Sequence, residues 1–257
     1  MWRVAFVAAM AVVFLSRSAG AEMITTLDGT GGDITLRRGN VTDNGALLLT
    51  KNQSGNAENN NNDRLNLLKF DLASLSESIL TAIVRLEMPR GAATSQPSNT
   101  FDAGETVYLY GIPDGHAGEN FNEATTTYAN SPFLTGTGTT NGARPVTDLT
   151  GNSVSDSAAI LLDTHTFVAV TNAGEYVDFR SQALRAFLMA DTNDIASFIL
   201  TVSQSNATKT PVFNSDTRTG AGLRPTLLTN ANAPEPTAAV LIVFAAACMS
   251  LLRLRKA

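Results

Sequence analysis

From residue 22 to residue 230, short apolar runs alternate with clusters of Gly, Asn, Ser, Thr and Asp. Many short strands joined by turns have this signature. The runs predict strands over 23–26, 33–37, 46–51, 65–70, 82–88, 106–112, 166–171, 176–179, 197–202, 212–214 and 224–229. Several keep a period of two. Val84, Leu86 and Met88 fall on one side and Arg85 and Glu87 on the other, and Val107 and Leu109 oppose Tyr108 and Tyr110. One stretch has helical spacing. Leu184, Phe187 and Leu188 recur at i, i+3 and i+4, and Ser181 stands where an N-cap belongs, which predicts a helix over 181–189. A single short helix on a strand-rich chain is expected to close one end of two antiparallel sheets packed face to face, an all-β sandwich.

Both ends break this pattern. Arg3, the apolar run 4–15 and the small residues Ala19 and Ala21 before Glu22 stand in the order of a secretory leader, so residues 1–21 are read as a signal peptide cut between Ala21 and Glu22. At the other end, Pro234, Glu235 and Pro236 precede an apolar stretch, 237–252, and then Arg253, Arg255 and Lys256. As a helix at 1.5 Å per residue that stretch reaches roughly 24 Å, a little short of the ~30 Å hydrocarbon core. Local thinning and snorkelling of the arginines close the gap. The basic tail, 253–257, is expected to stay cytoplasmic. This leaves a folded body over 22–230 and a linker over 231–236.

The order Pro-Glu-Pro, apolar helix, basic tail resembles the PEP-CTERM sorting signal. That resemblance implies recognition by an exosortase, cleavage near Pro-Glu-Pro, and delivery to the cell surface or extracellular matrix. The same hydropathy would also serve a plain carboxy-terminal anchor.

Composition narrows the body further. The chain has 18 basic and 23 acidic residues, a net charge of -5. The leader carries Arg3 and Arg17, and the tail Glu235, Arg253, Arg255 and Lys256. The body therefore keeps 13 basic against 22 acidic residues, net -9, which argues against a nucleic-acid partner. The one cysteine, Cys248, lies in the apolar carboxy-terminal stretch, so the body must hold without disulfides. Low-complexity stretches at 56–62, 90–100 and 133–146 are expected to be long loops, and 27–33, with Gly29, Gly31 and Gly32, a turn.

A second resemblance lies in the body. The run from Asp63 to Leu72 (DRLNLLKFDL), followed by the alternating 81–86, looks like the opening of a DNRLRE-type domain. The segment 122–132 and the closing strands near 197–200, 212–213 and 224–227 are similar to later parts of that family. The resemblance spans about 45–229. Phe121 and Tyr128 stand where the family's segment carries tryptophan. It implies a jelly-roll β-sandwich related to polysaccharide-binding modules. Within the motif, Leu65, Leu67, Leu68 and Phe70 read as core, Asp71 as a turn cap, and Arg64 and Lys69 as a solvated strand face.

Catalytic chemistry has a sparse inventory. The two histidines, His116 in a turn and His165 ahead of a strand, lack zinc spacing, and no nucleophile elbow or phosphate loop occurs. Close acid pairs, Glu119 with Glu123 and Asp191 with Asp194, would matter to glycoside hydrolysis only if they faced a cleft. No cofactor is called for. Calcium is the one ion that the oxygen-rich clusters Asn60, Asn62, Asp63 and Asp148, Asn152, Asp156 would suit, although solvated turns use the same residues.

Sugar recognition uses aromatic faces. Tyr108 and Tyr110 on one strand face, with Tyr128 and the cations Arg64 and Arg85, are the candidate ligand-binding residues; Tyr176 is a further exposed-type aromatic. The expected protein is exported and non-enzymatic, meets signal peptidase, an exosortase-type enzyme and the membrane through its ends, and associates with extracellular polysaccharide. A structural or adhesive surface protein without sugar specificity is the first alternative, and a polysaccharide lyase or hydrolase the second.

Overall fold

The structure is a computed structural model that describes residues 21–37, 41–43, 45–51, 64–75, 78–89, 104–128, 130–131, 159–168, 174–203, 211–218 and 224–230. The sorting residues Pro234, Glu235, Pro236, Arg253, Arg255 and Lys256, the cleavage-site Ala19, the three long loops and the oxygen-rich clusters at 60–63 and 148–156 lie outside them. Among the described residues no helix is long and apolar enough to cross a membrane, and the stretch 237–252 is not among them.

The described chain is all-β with one helix. The strands are β1 (Glu22–Thr25), β2 (Gly32–Arg37), β3 (Val41–Asp43), β4 (Leu47–Leu49), β5 (Arg64–Asp71), β6 (Ala82–Glu87), β7 (Thr106–Ile112), β8 (Ile160–Thr166), β9 (Tyr176–Phe179), β10 (Ile195–Val202), β11 (Val212–Asn214) and β12 (Thr226–Thr229), with helix α1 (Gln182–Met189) between β9 and β10. A four-stranded sheet runs β1-β12-β6-β9, a six-stranded sheet β3-β2-β5-β10-β7-β8, and β11 pairs with β4. Every pairing is antiparallel.

Strand alternation builds the core. Ile24, Leu227, Val84 and Phe179 form one row across the four-stranded sheet. Leu68 and Phe198 sit opposite each other in the six-stranded sheet. Both sets belong to one buried cluster, so the two sheets share a core, as in a β-sandwich. The apolar stripe of α1 packs at the same interface, and Ser181 caps its first turn, its Oγ accepting from the Leu184 backbone N–H at 3.0 Å. Phe187 reaches Phe198 at 5.6 Å between ring centroids. It can do so because β7 carries Gly111, where a Cβ would stand 2.6 Å from the Phe187 ring.

The six-stranded sheet buries its other face too. Ile34, Leu36, Leu65, Leu67, Tyr110, Ile112 and Ile199 form a second apolar layer with Phe121 and Tyr128, from the irregular segment 113–131 that lies over it. This overturns one expectation. Lys69 is 8% exposed, not solvated: its Nζ donates to Asn120 Oδ1 at 3.0 Å and to the Phe121 carbonyl at 2.9 Å, and stands 5.1 Å from the Phe121 ring centroid. The long apolar stem packs under the cover while the ammonium finds acceptors on it. The strand expected over 166–171 is found to begin at Ile160 and to close at Thr166, with Phe167 and Val168 beyond it and 169–171 outside the described residues, so His165 lies inside β8 rather than ahead of it. β8 is an end strand with Ile160 and Leu161 exposed, and polar residues dilute its apolar pattern. The expected turn cap is present, Asp71 Oδ1 accepting from the Ala73 N–H at 3.0 Å.

Phe198 touches Phe70 at 5.8 Å as well as Phe187 and is fully buried. Phe198→Ala should cost about 3–5 kcal/mol of unfolding free energy. Urea denaturation checks this, and a loss below about 1 kcal/mol would mean that the shared core is not formed as described.

Candidate functional site

The predicted ligand residues do not converge. Tyr108 and Tyr110 do share one face of β7, with ring centroids 6.4 Å apart and planes tilted by 36°. That face lies under the 113–131 cover. Tyr110 and Tyr128 are buried in its apolar layer, and Tyr108 is half-buried at its margin. Arg64 stands at the start of β5, in register with Arg37 of β2 on one side and with Lys51 on the other, so three cations line up across adjacent strands. Arg85 belongs to the other sheet.

Around Arg85 the four-stranded sheet carries a polar cluster, flanked on β6 by the buried Ile83 and Glu87. Alternation in β6 turns Val84 and Leu86 into the core and Arg85 outward. Asp178 of β9 is its register partner, and the guanidinium closes a fork on it, Nε to Oδ1 and Nη2 to Oδ2, both 2.7 Å. Arg180 adds a third bond to Asp178 Oδ2 at 2.7 Å. These hydrogen bonds, Arg85 first, hold the Asp178 carboxyl below its usual range, and the same bond raises Arg85. Tyr176, 47% exposed, lies against the guanidinium with 5.0 Å from its ring centroid to Cζ. The half-exposed ring thus rests against a cation that Asp178 holds in place.

The acidic residues regroup across the fold. Glu119 does not pair with Glu123, nor Asp191 with Asp194, as a site. Instead Asp114, Glu119 and Asp191 each bring a carboxylate oxygen to within 4.8 Å of the others. Amide and hydroxyl donors answer most of that charge. Asn193 Nδ2 and the Gly115 N–H bond Glu119, the Thr192 N–H and Oγ bond Asp114, and the Asp194 N–H bonds Asp191. Burial still raises the Asp191 pKa, with the charges of Asp114 and Glu119 adding to it. His116 accepts from the Gly118 N–H through Nδ1, and His165 stacks edge-on to Phe167 at 4.8 Å with its pKa lowered by burial.

A second acid pair is one that sequence reasoning missed. Asp33 of β2 is 1% exposed and Asp216, in the turn after β11, 7%. Asp33 Oδ2 accepts from Thr26 Oγ1 at 2.8 Å and from the Asp216 N–H at 2.7 Å. Glu123 accepts from the Asp33 N–H at 2.7 Å, adding a third negative charge. Burial and then the charge of Asp216 push Asp33 up to about 8, and burial and then Glu123 push Asp216 up to about 6. No short sequence signal marks this pair, because its members are 183 residues apart.

No protein-family model matches this sequence, and no curated protein matches it.

Native Asp33 keeps a proton that the unfolded chain releases near pH 3.8. The native state then binds more protons than the unfolded one, so stability falls as pH rises from about 4 towards about 8 and levels off beyond. Thermal melts across this range should show the fall, and Asp33→Asn should remove most of it. A wild-type stability that does not fall between pH 5 and pH 8, sampled about the middle of that window, would contradict the buried pair.

Proposed function

We propose that this chain is an exported, non-enzymatic protein of the cell envelope or extracellular matrix. A carboxy-terminal Pro-Glu-Pro signal sorts it, and it associates with polysaccharide through the outer face of its four-stranded sheet. One observation carries the sugar-binding part: Tyr176, half exposed, backed by Arg85, which Asp178 holds in a two-bond fork. A pyranose ring presents a flat array of C–H groups that packs on such an aromatic face, while guanidinium and carboxylate edges take its hydroxyls. The basic row Arg37, Arg64 and Lys51 is a separate place where an acidic sugar can be drawn to a chain of net negative charge. Half-buried Tyr108 remains the one tyrosine of the predicted trio with access to solvent.

The export part rests on the two ends of the chain. In its support, β1 begins at Glu22, the residue that signal peptidase would leave first, and pairs at once with Thr229 near the linker. The jelly-roll architecture of a DNRLRE-type module is the reading we give the sandwich; the pairing of the first strand with the last supports it. An adhesive protein without sugar specificity is the second reading, favoured by Ile160 and Leu161 exposed on an end strand.

Affinity electrophoresis in neutral and acidic polysaccharides should retard the protein. Tyr176→Ala should weaken retention about tenfold, the effect of losing roughly 1.4 kcal/mol of stacking. Tyr110→Ala acts on a buried ring and is expected to change retention only through stability. No retardation in any of the gels would favour the adhesive reading.

Mass spectrometry of the protein from its native envelope should find Glu22 as the first residue and the basic tail removed. A cytosolic product with both ends intact would refute the export reading.

A further inference from the structure

A buried amine touches a side-chain amide where the 113–131 cover meets β5. Lys69 Nζ donates to Asn120 Oδ1 at 3.0 Å, between residues 51 apart in the chain. The lysine is buried, with the Phe121 ring centroid 5.1 Å from Nζ. Burial lowers its pKa, against the opposing charges of Glu123 and Asp71, and so favours the neutral amine that can act as a nucleophile. Asn120 is exposed, and among the described residues no hydrogen bond holds its amide nitrogen. A carboxylate borders the pair. Gly32 is the register partner of Lys69, and a Cβ on Gly32 would stand 2.4 Å from Glu123 Oε1. Register partners turn their side chains to the same face, so the Glu123 carboxylate lies on the covered face beside Lys69. The other acid that acts on the amine, Asp71, is held by the Thr30 and Ala73 N–H groups.

We propose that Lys69 and Asn120 join in an intramolecular isopeptide bond, with Glu123 carrying the proton. Lys69 Nζ attacks Asn120 Cγ, the carbon that bears the contacted oxygen. Glu123 takes the proton that the amine loses and returns it to the departing amide nitrogen. The bond from Cγ to Nδ2 breaks, the bond from Cγ to Nζ forms, and ammonia leaves by the exposed side. Nothing is oxidised or reduced. Starting from the lysine ammonium, the group that leaves is ammonium, so charge balances as well. An amine attacks an amide slowly in water, and a fixed contact between the two raises their effective concentration by orders of magnitude. The bond would tie the cover to β5 covalently, in a body that has no cysteine, and leave the cohesion of the two sheets to the apolar core. The inference is independent of the sugar-binding reading.

The test is mass spectrometry of the full chain, folded, then denatured and digested with trypsin. A branched peptide should join Lys69 to Asn120, lighter by one ammonia than its two parts together, with no cleavage after Lys69. Asn120→Ala changes an exposed side chain; it should abolish the branch and lower Tm by about 8–15 °C, the effect of opening a closed loop of this size. Glu123→Gln should slow the joining about 100-fold or more, so that freshly made chain digests as two separate peptides. The branch in the parent is read without any variant, so a variant that fails to fold does not spoil the test. Two separate peptides from the parent after prolonged incubation would overturn the inference and leave an ordinary hydrogen bond. So would a branch that survives Asn120→Ala, or one that forms at an unchanged rate in Glu123→Gln.

Discussion

The contact between the two sheets around Phe198 governs the rest of the molecule. With no cysteine in the body, apolar burial has to supply the cohesion that crosslinks give many exported domains. Phe198 joins Phe70 across the central strand pair and Phe187 from the helix, and Gly111 makes room for that helix to settle. The helix in turn carries the chain from the four-stranded sheet to the six-stranded one. Since β5 and β10 are buried on both faces, the six-stranded sheet also needs a lid, and Lys69 ties that lid down through two acceptors on it.

Where local pattern sets structure, the sequence was a good guide. β6 and β7 follow from alternation, β9 and β11 from short apolar runs, and α1 from one apolar stripe and a serine cap. The errors fall where tertiary context decides. β8 carries Asp163, Thr164 and His165 and owes its place to pairing with β7 rather than to its own pattern. Lys69 reads as a surface residue by type, and only the irregular cover, which has no periodicity to detect, makes it an inside one. The tyrosine pair was visible on one face, but not that this face is covered.

The candidate sites show the same division. Arg85 was legible as an outward residue, but its fork with Asp178 and its contact with Tyr176 depend on β6 and β9 being neighbours. Glu119 and Glu123, close in sequence, serve different partners, whereas Asp33 and Asp216, 183 residues apart, meet in the fold. Adjacency along the chain is a poor guide in a fold where most neighbours come from distant strands.

The place of the last strand has a mechanical consequence. β12 is flanked by β1 on one side and β6 on the other, in register along its whole length. A polypeptide tethered beyond Thr229 transmits tension into that strand along its own axis. Two ladders then resist together by sliding, and no single exposed ladder opens rung by rung. Such an arrangement sets both neighbouring strands against any pull applied along the last one.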